Sequence, residues 1–192
     1  MASIIGVSGS LRQGSYNTAL LREAAAVLPE PHALSVRTIH GIPLYDADVE
    51  ASDGIPEVVA ELKEAIADAD GLLLATPEYN GSMPGVFKNA LDWLTRPPSD
   101  IRRVLAGKPV ALIGASAGAY GTAFSQDAWV SVFRALGMQP WFGGRLLVGS
   151  AGGAFDAEGV LTDPKIRERL ERFVAGFAAF AVRTEDEGFR KG

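Results

Sequence analysis

The chain has 192 residues, of which 47% are hydrophobic and 21% charged, a composition typical of one globular domain with a sizeable core. Its 18 Lys and Arg against 23 Asp and Glu give a formal net charge of −5, so there is no basic excess to displace counterions from nucleic acid. The absence of Cys excludes disulfides, thiolate metal ligands and Cys nucleophiles.

The first residues contain neither a basic segment nor a long apolar run, and no stretch reaches the roughly 18 consecutive apolar residues of a membrane-spanning helix. We therefore expect a cytoplasmic protein with no membrane insertion. Histidine is nearly as scarce as cysteine, since only His32 and His40 are present. No set of metal ligands is predicted, because neither His nor Cys completes one.

Predicted strands and helices alternate through the first third of the chain. An apolar, mostly β-branched run over 3–7 predicts a buried strand. Residues 17–28 have apolar positions at helical spacing behind Asn17, which can act as a cap. A weaker strand is predicted over 34–39. The segment 41–54 is acidic and has no period, which predicts a surface loop.

The same alternation continues through the middle of the chain. Pro56 fits the first position of a further helix, and the unbroken apolar run over 71–76 predicts a strand covered on both faces. After a loop, Pro84 begins another predicted helix. Residues 109–115 are predicted to form a further buried strand, with a helix over 123–136 behind it.

A last strand is expected within 138–148, where Pro140 and a Gly pair leave its limits open. Residues 162–164 predict the cap and first turn of a final helix. Predicted strands and helices thus alternate about five times along the chain. This order predicts right-handed crossovers and a five-stranded parallel sheet with helices on both faces, a three-layer α/β sandwich. We expect a single domain over 1–183 and a polar C-terminal tail over 184–192.

The ligand of a doubly wound sheet lies outside the carboxyl ends of the strands, where residues 9–17 form the first candidate loop. Ser10, Ser15 and Asn17 offer side-chain donors. Arg12 adds a charge-assisted fork beside the N–H groups of the helix start. This set suits a phosphate monoester, although a well-capped helix without a ligand has the same pattern. The dinucleotide and Walker fingerprints are absent.

The second candidate loop, residues 77–85, is dense in Pro and Gly. A backbone held rigidly by such turns can present its N–H groups edge-on to a planar heterocycle. Tyr79 can cover the face of a ring. The same pattern also fits a tight connection into a helix that binds nothing, and the loop by itself favours neither interpretation.

The third candidate loop contains Gly114-Ala115-Ser116-Ala117-Gly118, which matches the nucleophile elbow of α/β-hydrolases. That fold requires an acid and then a His after the Ser, whereas His32 and His40 both precede it. Without a general base Ser116 is a weak nucleophile. We therefore interpret the segment as a small-residue loop that lets a ligand approach the backbone closely. A turn without a ligand is the alternative.

Two of these loops, taken together and in order, resemble a known family. They are Gly9-Ser10-Leu11-Arg12 with Ser15 and Asn17, and Pro77-Glu78-Tyr79-Asn80-Gly81-Ser82 continuing through Pro84-Gly85 to Lys88-Asn89-Ala90-Leu91-Asp92-Trp93. The pair is similar to the NADPH-dependent FMN reductases, flavodoxin-like proteins that include quinone, chromate and azo-dye reductases. The resemblance covers most of the chain and implies a flavodoxin-like, FMN-binding domain. Phe87 and Thr122 depart from the residues that are usual in the family.

The resemblance also implies which residues hold the cofactor. At matching positions the FMN phosphate would be held by Ser10, Arg12, Ser15, Tyr16 and Asn17, with Tyr16 contributing mainly its backbone. One edge of the isoalloxazine would be contacted by Pro77, Glu78, Tyr79, Asn80 and Gly81, and its other edge by Ser116, Gly118 and Gly121. No catalytic side chain is expected, because the flavin carries the chemistry.

The activity implied by the resemblance is the reduction of a small acceptor by NADPH or NADH through bound FMN. The acceptors would be quinones, flavins, azo dyes or chromate, and the sequence selects neither the acceptor nor the nicotinamide. A homodimer or homotetramer is expected, with the apolar side of Trp93 and Leu94 at its interface. A flavodoxin-type electron carrier and a serine hydrolase using Ser116 are the alternatives.

Overall fold

The candidate loops follow strands, so the order of the strands determines which loops meet. In the computed structural model, which describes residues 1–186, the strands are β1 Ser3–Ser8, β2 Ala33–Thr38, β3 Gly71–Ala75, β4 Pro109–Ala115, β5 Gln139–Pro140 and β6 Leu146–Val148. All pairings among them are parallel, in the spatial order β2-β1-β3-β4-β5, and β6 also pairs with β4. The predicted parallel sheet is confirmed.

The last two strands share one position in the sheet. β5 lies beside the start of β4, and β6 lies beside its end. The Trp141 N–H still donates to the Val110 carbonyl of β4 at 2.8 Å, and residues 142–145 then leave the ladder. Gly143 lies against the Trp141 ring, where a Cβ would come within 2.5 Å of the indole nitrogen. The sheet therefore has the five predicted positions, the fifth of them divided in two.

Helices cover both faces of the sheet. They are α1 Tyr16–Val27, α2 Ala47–Asp53, α3 Glu57–Asp68, α4 Gly85–Leu94, α5 Ile101–Val104, α6 Ala123–Ala135 and α7 Pro164–Asp186. Helices α1 and α7 pack on one face, and α3, α4, α5 and α6 on the other. Along β3, Leu73 packs in the core on the face of α1 and α7, while Leu72 and Leu74 pack in the core on the opposite face. Both faces of this strand are thus buried, as its unbroken apolar run predicts.

The prediction of a surface loop over 41–54 is wrong for its second half, which forms α2. Asp46 caps this helix, since its Oδ1 accepts from the N–H two residues further on at 2.9 Å. Glu50 joins α2 to the rest of the molecule by accepting from the Tyr45 hydroxyl at 2.9 Å and from Arg96 Nε at 2.7 Å. None of the residues of α2, all of them described, is buried, so there is no apolar period for the sequence to show.

The residue that caps α1 is Ser15, and the prediction that Asn17 caps it is wrong. Ser15 has an extended backbone, with φ −77° and ψ 120°, and its Oγ accepts from the Thr18 N–H at 3.3 Å. Asn17 is already the second residue of the helix and is buried. Its side chain therefore makes its contacts elsewhere in the fold.

The last helix begins where the sequence predicts it. Asp163 Oδ1 accepts from the N–H groups of Lys165 at 2.8 Å and Ile166 at 3.1 Å, which satisfies two donors at the start of α7. The helix continues to Asp186, and residues 187–192 of the predicted tail lie outside the described residues. No helix in the described part of the chain is long and apolar enough to cross a membrane.

Candidate active site

The loops that follow β1, β3 and β4 enclose a cleft at the carboxyl edge of the sheet. It is lined by Ser10, Arg12, Ser15, Tyr16, Asn17, Pro77, Glu78, Tyr79, Ala115, Ser116 and Ala117. Backbone hydrogen bonds between neighbouring segments continue just beyond the ends of the strands. The Gly9 N–H donates to the Ala75 carbonyl and the Thr76 N–H to the Ile113 carbonyl, both at 2.9 Å. The sheet thereby holds the bases of the three loops side by side.

The first loop builds the polar end of the cleft. Ser10 and Ser15 are only 5% and 6% exposed, and their hydroxyl oxygens accept from the N–H groups of Arg12 at 3.2 Å and Thr18 at 3.3 Å. The hydrogen of each hydroxyl is then left to donate. The first residues of α1 add N–H groups that have no partner within the helix. Together with the Arg12 guanidinium, these groups form a donor set suited to an anion.

Both polar atoms of the Asn17 side chain are engaged by Ala115. Asn17 Nδ2 donates to the Ala115 carbonyl, and Oδ1 accepts from the Ala115 N–H, both at 2.9 Å. The carboxamide therefore ties the first loop to the start of the third. For a phosphate, Asn17 retains its backbone N–H at the helix start and one Nδ2 hydrogen, so its predicted role as a side-chain donor is reduced by this tie.

The ring of Tyr16 packs between two other groups at the polar end of the cleft. It stacks on Phe155 with centroids 5.6 Å apart and an interplanar angle of 27°. The Arg12 guanidinium lies 5.9 Å from the Tyr16 centroid, a distance at which a cation is attracted to a ring face. The ring thus supports Arg12. The backbone contact of Tyr16 with phosphate stays a prediction.

The second loop contains a two-residue hairpin. Tyr79 and Ser82 exchange backbone hydrogen bonds at 2.9 and 3.0 Å, and the corner residues Asn80 and Gly81 have φ of 50° and 72°. Positive φ at both corners defines the type I′ turn, which favours Asn-Gly. Tyr79 lines the cleft and is 51% exposed. Asn80 and Gly81 lie at the exposed tip, outside the lining.

Pro77 and Glu78 connect β3 to this hairpin. Pro77 is buried at the base of the cleft. Glu78 also lines the cleft, but its Oε2 accepts from the Phe124 N–H at 2.8 Å and the Ser125 N–H at 3.1 Å. The carboxylate is therefore bound to the first turn of α6, a contact that the sequence did not predict.

Only the first part of the third loop reaches the cleft. Ser116 and Ala117 line it, whereas Gly118 and Gly121 are outside the described lining. Gly121 has φ +65°, and a Cβ there would lie 3.1 Å from Leu147 Cβ, so this glycine serves a turn packed on β6. The predicted contacts of Gly118 and Gly121 with a ring edge stay predictions.

The geometry around Ser116 lacks the general base that a hydrolase needs. Ser116 Oγ accepts from the Gly118 N–H at 3.1 Å. His32 Nδ1 accepts from the Ala2 N–H, and His40 Nε2 lies against the Leu11 carbonyl, both at 3.0 Å. Neither of these two described histidines hydrogen-bonds Ser116, so neither can activate its hydroxyl as a general base.

Ala115 and Ala117 line the cleft although sequence reasoning did not select them. They flank Ser116 in a run of small residues, and that run was the signal available in the sequence. Because an Ala side chain is small, these two residues allow a ligand to approach the backbone beyond β4.

The cleft matches the two chemically different ends of FMN. Its polar end supplies hydroxyl, N–H and guanidinium donors, and Glu78, the one carboxylate among the described lining residues, is engaged by α6. The lining also includes Pro77, Tyr79, Ala115 and Ala117, which offer the mixture of apolar and aromatic surface that suits a planar ring. The residues present therefore fit a phosphate monoester joined to an aromatic system.

Trp93 and Leu94 are only 0% and 3% exposed. Trp93 Nε1 donates to the Pro43 carbonyl at 2.9 Å, and its ring meets Tyr45 edge-on with centroids 5.0 Å apart. The expectation that these two side chains face a partner subunit is wrong. Their apolar surface is used inside the chain, to pack the segment before α2 onto α4.

Proteins of known activity are similar to this chain over almost its whole length. The family model described as NADPH-dependent FMN reductase matches residues 2–153. An NAD(P)H-dependent FMN reductase of Pseudomonas aeruginosa is 46% identical over 169 residues, which cover 88% of this chain and 89% of the relative. A 2-hydroxy-1,4-benzoquinone reductase of a Burkholderia species is 40% identical over 174 residues, covering 91% and 93%.

The fold has a close counterpart among solved structures. A flavoenzyme NAD(P)H:(acceptor) oxidoreductase from Paracoccus denitrificans superposes with a TM-score of 0.84 at 32% sequence identity. The superposition covers 96% of this chain and 99% of that one. Fold and sequence therefore agree on one group of relatives.

Proposed function

The chain belongs to the NADPH-dependent FMN reductase family and is an FMN-dependent NAD(P)H oxidoreductase, and from that premise we propose that its acceptor is a quinone. The observation that carries the proposal is that the half-exposed Tyr79 ring and the small side chains of Ala115 and Ala117 line the same cleft. A flat, apolar acceptor suits this surface. The name of the Burkholderia relative, a benzoquinone reductase, supports the same class of acceptor.

The proposed task of the first loop is to hold the phosphate of FMN. Ser10 and Ser15 donate their hydroxyl hydrogens, Arg12 donates from its guanidinium, and the N–H groups at the start of α1 complete the set. None of these donors has to change its protonation state. Their task is binding and orientation.

The second and third loops are proposed to hold the ring system. Bound FMN supplies hydride transfer between a nicotinamide and the acceptor, so the protein needs no acid–base side chain of its own. Tyr79 would pack against the ring, while the small side chains of Ala115 and Ala117 would let it approach the backbone after β4. The nicotinamide and the quinone would use the remaining open side in turn.

The test begins with the visible spectrum of the purified protein reconstituted with FMN and freed of excess by gel filtration. We expect a bound flavin spectrum that bleaches on anaerobic addition of NADPH or NADH and returns on addition of 1,4-benzoquinone. A protein that bleaches but returns only with free flavin would contradict the quinone assignment. A flavodoxin-type carrier would keep its colour in the presence of the nicotinamide.

The assembly and the compartment belong to the same proposal. We infer a homodimer or homotetramer on the strength of the family resemblance, and the cytoplasm stays the predicted location. Flavins, azo dyes and chromate are candidate further acceptors in this family. Steady-state kinetics compares the rates of their reduction with the rate for the quinone. Sedimentation equilibrium measures the assembly, and a monomer at micromolar concentration would contradict it.

A further inference from the structure

Glu78 occupies an unusual position for an acid that lines a ligand cleft. It follows β3 directly, but its carboxylate is bound across the cleft wall to α6, where Oε2 accepts from the Phe124 and Ser125 N–H groups at 2.8 and 3.1 Å. These two donors lie in the first helical turn, where intrahelical partners are lacking. A residue 46 positions earlier in the chain therefore caps α6.

The helix needs this contact because its own N-cap residue does not supply it. Thr122 precedes α6 but makes no side-chain cap, and its Oγ1 accepts instead from Gln126 Nε2 at 3.2 Å. A carboxylate at this end also interacts favourably with the helix dipole. Glu78 thus takes over the function of the N-cap from a different loop.

A second, buried connection lies beneath the first. Thr76 Oγ1 lies 2.7 Å from Ser125 Oγ and accepts from Trp129 Nε1 at 3.0 Å. Thr76, Ser125 and Trp129 are all buried. The chain after β3 is therefore attached to α6 in two layers, a buried hydroxyl pair and, above it, the carboxylate of Glu78.

We propose that Glu78 is a positioning residue that fixes the spacing between the second and third loops, and so the width of the cleft between them. The inference rests on the proposed function in one respect, that the flavin ring lies between these loops. The third loop leads directly into α6, so a bond from the second loop to the first turn of α6 sets the distance between the two. The side chain acts through Phe124 and Ser125 rather than by touching the ring.

The test uses three substitutions that separate reach from charge. Glu78→Gln keeps an oxygen at the same reach, so it should bind FMN and riboflavin almost as the wild type does. Glu78→Asp keeps the charge but is one methylene shorter, and Glu78→Ala keeps neither. Both should raise the dissociation constants of FMN and riboflavin by a common factor, roughly fivefold, as expected for the loss of a helix cap. Fluorescence titration of the apoprotein measures both flavins.

Asp163 provides a matched control. Its Oδ1 caps α7 by accepting from two N–H groups at 2.8 and 3.1 Å, and it does not line the cleft. Asp163→Ala should lower the thermal midpoint of unfolding while leaving both flavin affinities unchanged. This variant separates a general loss of stability from a loss of positioning.

Several outcomes would overturn the proposal. Loss of affinity in Glu78→Gln with retention in Glu78→Asp would show that the charge itself acts on the flavin. Unchanged riboflavin affinity in Glu78→Asp would show that the spacing does not matter. If Glu78→Ala fails to fold, the Gln and Asp pair still decides. Failure of the wild type to bind either flavin would instead remove the proposed function on which the inference rests.

Discussion

Arg12 is the one residue of the first loop that brings a full charge to the cleft. Its guanidinium lies 5.9 Å from the Tyr16 ring centroid, and that ring stacks on Phe155. Aromatic packing thus restrains the guanidinium before any ligand is bound, which reduces the ordering that binding would require. A restrained, fork-shaped donor suits recognition of phosphate.

We expect Arg12→Ala to raise the FMN dissociation constant about ten- to a hundredfold, because a hydrogen bond to a charged group contributes roughly 1.5–3 kcal/mol. Riboflavin lacks the phosphate, so its affinity should not change. Fluorescence titration of the apoprotein measures both ligands. Arg22→Ala, at an exposed position of α1, is the control and should bind FMN as the wild type does. Unchanged FMN affinity in Arg12→Ala would remove Arg12 from the site.

The residues at the site could be predicted largely from the sequence, but the contacts of two of them could not. Loops that follow strands of a parallel sheet meet at one edge, and this rule selected Ser10, Ser15 and Tyr79. Asn17 and Glu78 bind partners 98 and 46 positions away along the chain. Such pairings follow from the order of the strands in space, which local patterns in one sequence do not specify.

Helix α2 depends on polar contacts, and Glu50 makes the most important of them. The hydrogen bond from Arg96 is the main cause that lowers the pKa of Glu50 below its usual range, and the hydrogen bond from the Tyr45 hydroxyl acts in the same direction. A carboxyl whose pKa is lower in the folded state contributes stability above its unfolded pKa, and this contribution is lost as the pH falls through the folded value.

We therefore expect Glu50→Gln to be less stable than the wild type at neutral pH. The difference should disappear progressively as the pH falls below the ordinary glutamate value of about 4.3. Urea unfolding across this range measures the difference in free energy of unfolding. Asp53→Asn, at an exposed position of the same helix, is the control for the loss of a carboxylate from α2. A Glu50→Gln deficit that stays constant down to pH 3 would contradict the assigned role of the charge.

The end of β1 packs so closely on α4 that Gly9 has no room for a side chain. A Cβ at Gly9 would lie 2.1 Å from Phe87 Cδ1. Phe87 is itself held in place, 2% exposed and edge-on to Trp129 with centroids 5.1 Å apart. The glycine of the first loop is thus required by the Phe87 ring.

Gly9→Ala should destabilise the protein by about 1–3 kcal/mol through overpacking. In a Phe87→Leu background the same substitution should cost less, because the ring that it meets is gone. A double-mutant cycle from urea unfolding gives the coupling between the two positions. Strictly additive effects would show that the added methyl group finds space in another direction.

Elements with a buried apolar face could be predicted well, and those without one could not. The limits of β4 agree with its apolar run, and α7 begins at its predicted cap. Helix α2 buries none of its residues, all of which are described, so its existence depends on Asp46 and Glu50. The fifth strand position is divided because Gly143 and Gly144 pack against the Trp141 ring between β5 and β6. Strand propensity does not encode this tertiary contact.

At the scale of the whole molecule, the cleft exists only when β1, β3 and β4 are paired. Its lining comes from residues 10–17, 77–79 and 115–117, which follow three neighbouring strands of the sheet. The Asn17 and Glu78 contacts then join these segments to one another and to α6. A partly unfolded chain therefore cannot retain the cleft, and a ligand bound there should stabilise the native state as a whole.

FMN at a hundred times its dissociation constant should stabilise the native state by about 2.7 kcal/mol. For a domain of this size, that corresponds to a rise of roughly 5–11 °C in the thermal midpoint, measured by circular dichroism. Arg12→Ala at the same FMN concentration should show at most about half of this shift, because its weaker binding lowers the ratio of ligand to dissociation constant. A midpoint that does not respond to FMN would contradict a flavin site assembled from all three loops, and an equal shift in Arg12→Ala would place the phosphate elsewhere.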